Sequence, residues 1–214
     1  MIVSKRMTPN PTTITSAMTI VDALQIMRNN KFRRLPVVDN GKLVGIVTDR
    51  DLREVSASPA TSLSVFELNY LLSKMQVKDI MTKKVLTVSA DATVEEAALI
   101  MYNHKIGGLV VMDQNQQVVG ILTETDIFKT FVDIMGLPQG KTRLSIVVPD
   151  RLGVVHDISG VFKEFGISIG SFASYPTDEG QYEVVIRADI KDVKAFTERL
   201  AAVGYPVQHV VHIG

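Results

Sequence analysis

The chain contains one unit written twice. Met7-Thr8 recurs as Met81-Thr82, Thr13 as Thr87, Thr19 as Thr93, Ala23 as Ala97, Met27 as Met101, Lys31 as Lys105, Leu35 as Leu109 and Asp39 as Asp113, always 74 positions on. After a one-residue slip near Asn115 the spacing is 75, and Gly45 matches Gly120, Thr48 matches Thr123 and Asp51 matches Asp126. A fixed internal period means one supersecondary unit used repeatedly. The first 135 or so residues are therefore two copies of one fold.

Each copy reads β-α-β-β-α. An extended piece (Thr12 to Thr15; Val85 to Ser89) leads into a capped helix. In the second copy the cap is the capping box Thr93-Val94-Glu95-Glu96, and in the first it is Thr19-Ile20-Val21-Asp22. Ile20, Ala23, Leu24 and Met27 share one helical face, as do Val94, Ala97, Ala98 and Met101. Strands follow at Arg34 to Val38 and Leu43 to Val47, repeated at Leu109 to Met112 and Val118 to Leu122. Each second strand breaks into a helix at a corner: Gly45-Ile46-Val47-Thr48-Asp49-Arg50-Asp51 and Gly120-Ile121-Leu122-Thr123-Glu124-Thr125-Asp126. The glycine permits close backbone approach. The Thr stands where an N-cap belongs, and the Asp stands in the first turn, where the helix dipole favours an anion.

Ser56 to Ser62 reads as a loop, followed by a helix over Ser64 to Met75 with Ser64 and Glu67 as its capping box. Its apolar face (Val65, Phe66, Leu68, Leu72, Met75) belongs in a core. The copies span residues 4–62 and 63–135. Gly and Pro at 136–141 mark a boundary, and residues 141–214 form a third domain of different order. That order is strand Thr142 to Val148, helix Val154 to Phe165 stopped by Gly166, strands Ile167 to Ser174 and Tyr182 to Ala188, helix Lys191 to Val203 stopped by Gly204, and strand Val207 to Ile213. It is β-α-β-β-α-β, the ferredoxin-like arrangement, and the fold class of the whole is α/β (α+β).

Composition excludes several chemistries. Lys plus Arg and Asp plus Glu are 23 each, which argues against a general nucleic-acid binder. There is no cysteine, so no disulfide, thiol nucleophile or thiolate metal site. No apolar run reaches membrane-spanning length, and Met1 to Arg6 lacks a signal-peptide core, so the expected location is cytoplasmic. His209 and His212, three apart on a strand, point to opposite faces and make no metal pair. No triad, P-loop or paired-carboxylate site is present, so no catalytic residue and no catalytic cofactor is expected.

The Met-Thr pairs, Arg34-Leu35-Pro36-Val37-Val38-Asp39 and the two Gly-x-x-Thr-x-x-Asp corners resemble a tandem pair of CBS domains, a Bateman module. Pro149-Asp150-Arg151-Leu152-Gly153-Val154-Val155-His156-Asp157-Ile158 and the element order resemble an ACT domain. Two CBS units followed by one ACT domain is similar to bacterial proteins assigned to acetoin utilisation. The resemblance implies a regulatory sensor that binds adenosyl effectors (AMP, ADP, ATP, NAD or S-adenosylmethionine) in two clefts between the repeats, and it implies a homodimer acting on a protein target outside this chain.

It implies that Asp51 and Asp126 hold ribose hydroxyls, with Thr48 and Thr123 on ribose or phosphate oxygens. Charge-assisted bonds to a carboxylate suit the first role, and a helix start suits the second. One cleft would bring Thr123, Asp126 and Ile121 to Thr8, Thr12, Phe32 and Arg33. The other would bring Thr48, Asp51 and Ile46 to Thr82, Leu86 and Ile106. Arg33, Arg34 and Arg50 are the phosphate candidates; the second copy has Gly107-Gly108 and Thr125 in their places, so unequal affinities are expected. In the ACT domain Asp150, Leu152, Gly153 and His156 would face an amino acid, with Ser168 to Ser171 opposite. Bland readings stand beside these. A Thr-x-x-Asp corner can be a helix cap alone, Arg33 and Arg34 can be solvated surface, and many ACT domains only dimerise. Alternative functions are an interaction scaffold without a small ligand, or a hydrolase of an acetylated substrate or nucleotide.

Overall fold

The computed structural model describes residues 1–56, 70, 73–137, 142–178 and 180–212. The chain divides into two compact units, Met1–Ile127 and Phe128–Gly214.

In the first unit a 3-10 turn (Val3–Lys5) precedes β1 (Thr8–Pro9), α1 (Ile20–Asn30), β2 (Arg34–Asp39), β3 (Lys42–Thr48) and α2 (Asp49–Ser56). A second 3-10 turn (Val77–Asp79) opens the second copy, with β4 (Thr87–Ser89), α3 (Val94–His104), β5 (Gly108–Met112), β6 (Val118–Thr123) and α4 (Glu124–Ile134), whose residues from Phe128 on belong to the second unit. The two helix starts form as their sequences dictate. Thr19 Oγ1 accepts the Asp22 N–H at 3.1 Å, and Thr93 Oγ1 accepts the Glu96 N–H at 3.1 Å while Glu96 Oε2 accepts the Thr93 N–H at 2.8 Å. α1 and α3 end at Lys31 and Lys105, both left-handed at φ 57° and 53°.

The extended piece expected at Thr12 to Thr15 reduces to a parallel bridge between Ile14 and Val37. The strand expected at Val85 to Ser89 is confined to Thr87–Ser89. The helix expected over Ser64 to Met75, with its capping box, falls largely outside the described residues, as does the loop expected over Ser56 to Ser62, except that Ser56 is the last residue of α2.

The two copies exchange their opening turns. Val3 is fully buried in the second copy's core with Val88, Ala97, Leu109 and Leu122. Val77 is fully buried in the first copy's core with Ile20, Leu35, Val47 and Leu52. The hydrogen bonds repeat the exchange at the same 74-residue spacing. The Val3 N–H donates to the Ala92 carbonyl at 2.8 Å, and the Val77 N–H to the Met18 carbonyl at 2.9 Å. Neither copy completes its core alone.

Strand pairing crosses in the same way. β1 of the first copy joins the second copy's sheet, whose order is β1-β6-β5-β4, with Thr8 opposite Ile121. Thr82 of the second copy forms the matching bridge to Ile46, with hydrogen bonds of 3.0 and 2.9 Å. This explains the glycines of the corners. A Cβ on Gly45 would lie 2.9 Å from Met81 Cγ, and one on Gly120 would lie 2.9 Å from Met7 Cγ. They make room for a methionine side chain of the other copy, rather than for backbone.

The second unit holds β7 (Thr142–Pro149), α5 (Val154–Glu164), β8 (Ile169–Pro176), β9 (Gln181–Ala188), α6 (Val193–Ala202) and β10 (Val207–His212). Its antiparallel sheet runs β10-β7-β9-β8. Leu144, Ile146 and Ile186 pack against Ile158, Phe162, Phe196 and Leu200 of the helices. Gly166 and Gly204, at φ 65° and 94°, follow the helix ends as expected. α6 begins two residues later than expected, because the Asp192 carboxylate accepts the Ala195 N–H at 3.0 Å and so fixes the first turn.

Candidate functional site

Two cavities lie between the copies of the first unit, related by the repeat. The first, about 380 Å³, is lined from the first copy by Thr8, Asn10, Pro11, Thr12, Lys31, Phe32, Arg33 and Arg34. From the second copy come Gly107, Ile121, Thr123, Glu124 and Thr125. The second, about 700 Å³, is lined by Thr82, Lys84, Val85, Leu86, Lys105, Ile106, Gly107, Gly108 and Glu124 of the second copy. The first copy adds Arg33, Arg34, Ile46, Thr48, Asp49, Arg50 and Arg53. Crossed pairing builds both: the Thr8–Ile121 and Thr82–Ile46 pairs put a Thr and an Ile of opposite copies side by side in each wall.

Among the residues singled out from sequence, Thr8, Thr12, Phe32, Ile121 and Thr123 come together in the first cleft. Ile46, Thr48, Arg50, Thr82, Leu86 and Ile106 come together in the second. Arg33 and Arg34 line both. Lys105, Arg53, Asp49 and Glu124 were not picked out. The repeat holds a signal for one of them, since Lys105 is the counterpart of Lys31, which lines the other cleft.

Asp51 and Asp126 stand one step behind the lining. Asp51 Oδ2 accepts both the Thr48 N–H and the Thr48 hydroxyl, each at 2.8 Å. Asp126 Oδ2 accepts the Thr123 N–H at 2.8 Å and the Thr123 hydroxyl at 2.7 Å. Each carboxylate therefore folds back on its own corner, as the capping reading requires, and fixes the threonine that faces the cavity. At each corner these two bonds converge on one carboxylate oxygen.

Arg34 joins the two clefts. A Cβ on Gly108 would lie 3.2 Å from its Cζ, and one on Gly107 would collide with its terminal nitrogen. The two glycines thus form a slot that the guanidinium of the other copy fills. Burial lowers the Arg34 pKa from its ordinary value, with Arg33 acting in the same direction; Glu124 and Asp49 oppose the shift. Lys84 and Lys105 form no ion pair among the described residues, and Arg50 pairs with Glu54 at 2.9 Å.

In the second unit Asp150 and His156 are exposed and Leu152 is 98% exposed, while Gly153 takes φ 91° at the start of α5. Their turn is anchored by a cluster that sequence reading missed. The buried Tyr205 hydroxyl donates to Asp157 Oδ2 at 2.6 Å and accepts from Arg151 at 2.6 Å. Burial, then the bond to Asp157, raises the Tyr205 pKa. Thr142 Oγ1 lies 3.3 Å from His212 Nδ1, and no group of metal-ligating side chains occurs among the described residues. No helix among them is long and apolar enough to cross a membrane.

The CBS domain family matches residues 3–58 and 77–133, and the ACT domain family matches residues 142–205. A CBS domain-containing protein of Dictyostelium discoideum is 33% identical over 135 residues, covering 63% of this chain and 93% of that protein. Several other relatives are much longer: an inosine-5′-monophosphate dehydrogenase of Methanocaldococcus jannaschii is 34% identical over 52% of this chain, which spans 20% of the enzyme.

Among solved structures, a CBS domain pair in complex with 5′-methylthioadenosine and S-adenosyl-L-methionine is 32% identical with a TM-score of 0.52. The match covers 61% of this chain and 95% of that one. The protein CBSX2 in complex with AMP is 30% identical with a TM-score of 0.52, covering 62% and 97%. A Vibrio cholerae protein described as an acetoin utilization protein (AcuB) is 31% identical with a TM-score of 0.53, covering 65% and 96%.

Proposed function

We propose that this chain, which belongs to the tandem CBS-domain family and carries a C-terminal ACT domain, is a non-catalytic sensor of adenosyl ligands. The carrying observation is the pair of inter-repeat clefts, each walled by both copies and each closed by a threonine corner at a helix start. Such a corner offers a hydroxyl and first-turn N–H groups to ribose or phosphate oxygens. In this reading Thr48 and Thr123 contact the ligand, Asp51 and Asp126 take ribose hydroxyls, and strand backbone with Ile46, Ile106, Ile121 and Phe32 holds the adenine. The solved CBS pairs with AMP, methylthioadenosine and S-adenosylmethionine support the ligand class.

A ligand that touches both copies has a different affinity for each arrangement of them, and so shifts the equilibrium between arrangements. The signal passes to a protein outside this chain. We place it in the cytoplasm as a homodimer, with acetoin metabolism as the regulated process on the likeness to the Vibrio protein. The ACT domain contributes to pairing.

The test is a melting series with AMP, ATP, NAD and S-adenosylmethionine. A ligand at one hundred times its Kd raises stability by about 2.7 kcal/mol through mass action. An unchanged Tm with every ligand at saturating concentration returns the chain to the scaffold reading, and turnover of a nucleotide or acetyl ester by the pure protein would make it an enzyme.

A further inference from the structure

The clefts share a wall but not a charge. Both have Arg33, Arg34 and Glu124. Beyond these, the second cleft adds Arg50, Arg53, Lys84 and Lys105 against Asp49 alone. The first adds only Lys31. The repeat makes the difference explicit position by position: Asn10 stands where the second cleft has Lys84, and Thr125 where it has Arg50. Phe32 in the first cleft replaces Ile106 and is 39% exposed, beside Pro11 and Ile121. The larger cavity is the more cationic one, about 700 against 380 Å³.

We infer that the two clefts take different adenosyl ligands. The Thr48 cleft takes a nucleoside di- or triphosphate, and the Thr123 cleft takes an adenosyl ligand without a phosphate chain. The assignment rests on the adenosyl reading above and adds a division of labour to it. A triphosphate needs room and several donors that are not already neutralised. Lys84 and Lys105 supply them, with Arg34 entering through the Gly107–Gly108 slot; Arg50 and Arg53 of α2 form exposed ion pairs with Glu54 and Asp49 one turn away, weak enough for a phosphate to displace. Arginine and lysine bonds to phosphate oxygens are charge-assisted and thus among the strong ones. The first cleft offers an aromatic face, a proline, and the neutral Asn10 and Thr125 in place of Lys84 and Arg50, a lining suited to an adenine with a thioether or other uncharged 5′ substituent.

The experiment is calorimetric titration of the full chain with ATP and with 5′-methylthioadenosine, each alone and each after saturation with the other. It uses wild type, the double variant Arg50→Gln/Lys84→Gln, and Phe32→Ala. All three positions are exposed, so the folds are retained. Wild type should bind one equivalent of each ligand at the same time, with ATP affinity falling more steeply with salt. The double variant should lose about tenfold or more in ATP affinity, the order expected for two charge-assisted contacts, and keep methylthioadenosine unchanged. Phe32→Ala should weaken methylthioadenosine and leave ATP alone.

Mutual competition for one cleft, or equal response of both ligands to both variants, overturns the division while leaving adenosyl binding intact. Absence of any heat or Tm change with either ligand removes the adenosyl reading and the division with it.

Discussion

Arg34 of the first copy occupies the space that a side chain at Gly107 of the second copy would need, so one guanidinium forms part of both clefts. Its position is a balance. Burial and Arg33 work against the charge, and Glu124 and Asp49, one acid at the start of each corner helix, favour it. Gly107→Ala puts a methyl group in contact with the guanidinium and 3.1 Å from Glu124 Oε2, and the far end of a flexible side chain must move. The variant should fold normally and change ligand affinity at both clefts together. Calorimetry that finds one cleft altered and the other untouched would remove Arg34 as the shared element.

The exchanged turns make a second prediction. Val3 and Val77 are each fully buried in the other copy's core, and truncating a buried valine leaves a cavity. Val3→Ala and Val77→Ala should each cost about 1–3 kcal/mol. Each should also lower the stability of both copies at once, since neither core closes alone. In denaturant both copies of the first unit should unfold in one transition, whether or not the second unit unfolds separately; separate transitions for the two copies would mean that they are independent domains.

The corner aspartates should have a structural effect that is separable from ligand binding. Asp51→Ala removes two hydrogen bonds to Thr48 at a helix start, and loss of such a cap costs roughly 0.5–2 kcal/mol. Ligand-free protein should therefore melt lower. If Asp51 also holds ribose, the variant should lose affinity at temperatures where it is still fully folded, which a cap alone would not produce.

In the second unit Arg187 is 5% exposed, and its Nε and one terminal nitrogen have no hydrogen-bond partner among the described residues. Burial, and then Arg143 nearby, lower its pKa. Burying a charge with unsatisfied donors carries a desolvation cost, which an apolar side chain of similar length removes. Arg187→Met should thus leave the Tm unchanged or raise it. A fall of several degrees would show that the guanidinium is held by interactions that its surroundings do not reveal.

Acid should weaken the same unit through Glu183. Bonds from Tyr175 and Ser145, with Arg143 and His209 nearby, hold its carboxyl below the ordinary range. A depressed native pKa means that the stabilisation is complete above the unfolded value near 4.3 and is lost as pH falls through the lower native value. Thermal melts between pH 7 and pH 3 should show less acid destabilisation in Glu183→Gln than in wild type.

Much of this was legible in the chain. The 74-residue period, the Thr19 and Thr93 caps and the stop signals at Gly166 and Gly204 depend on near neighbours, and local chemistry reports them. The glycines of the corners were legible as needs for space, but the occupants, Met7 and Met81, lie in the other copy, outside any local window. Asp51 and Asp126 were readable as either ligands or caps, because a carboxylate three residues past a threonine serves both.

The sequence by itself determined that two equivalent units exist and where each turns its corner. Tertiary structure alone decided which unit each opening turn completes. Val3 and Val77 carry the same side chain at equivalent positions, so packing at home and packing in the neighbour leave an identical sequence pattern, and only the cores, closed by the opposite copy's valine, tell them apart. The same crossing brings cations of both copies to the Thr48 cleft, a sum over distant residues that no stretch of chain contains.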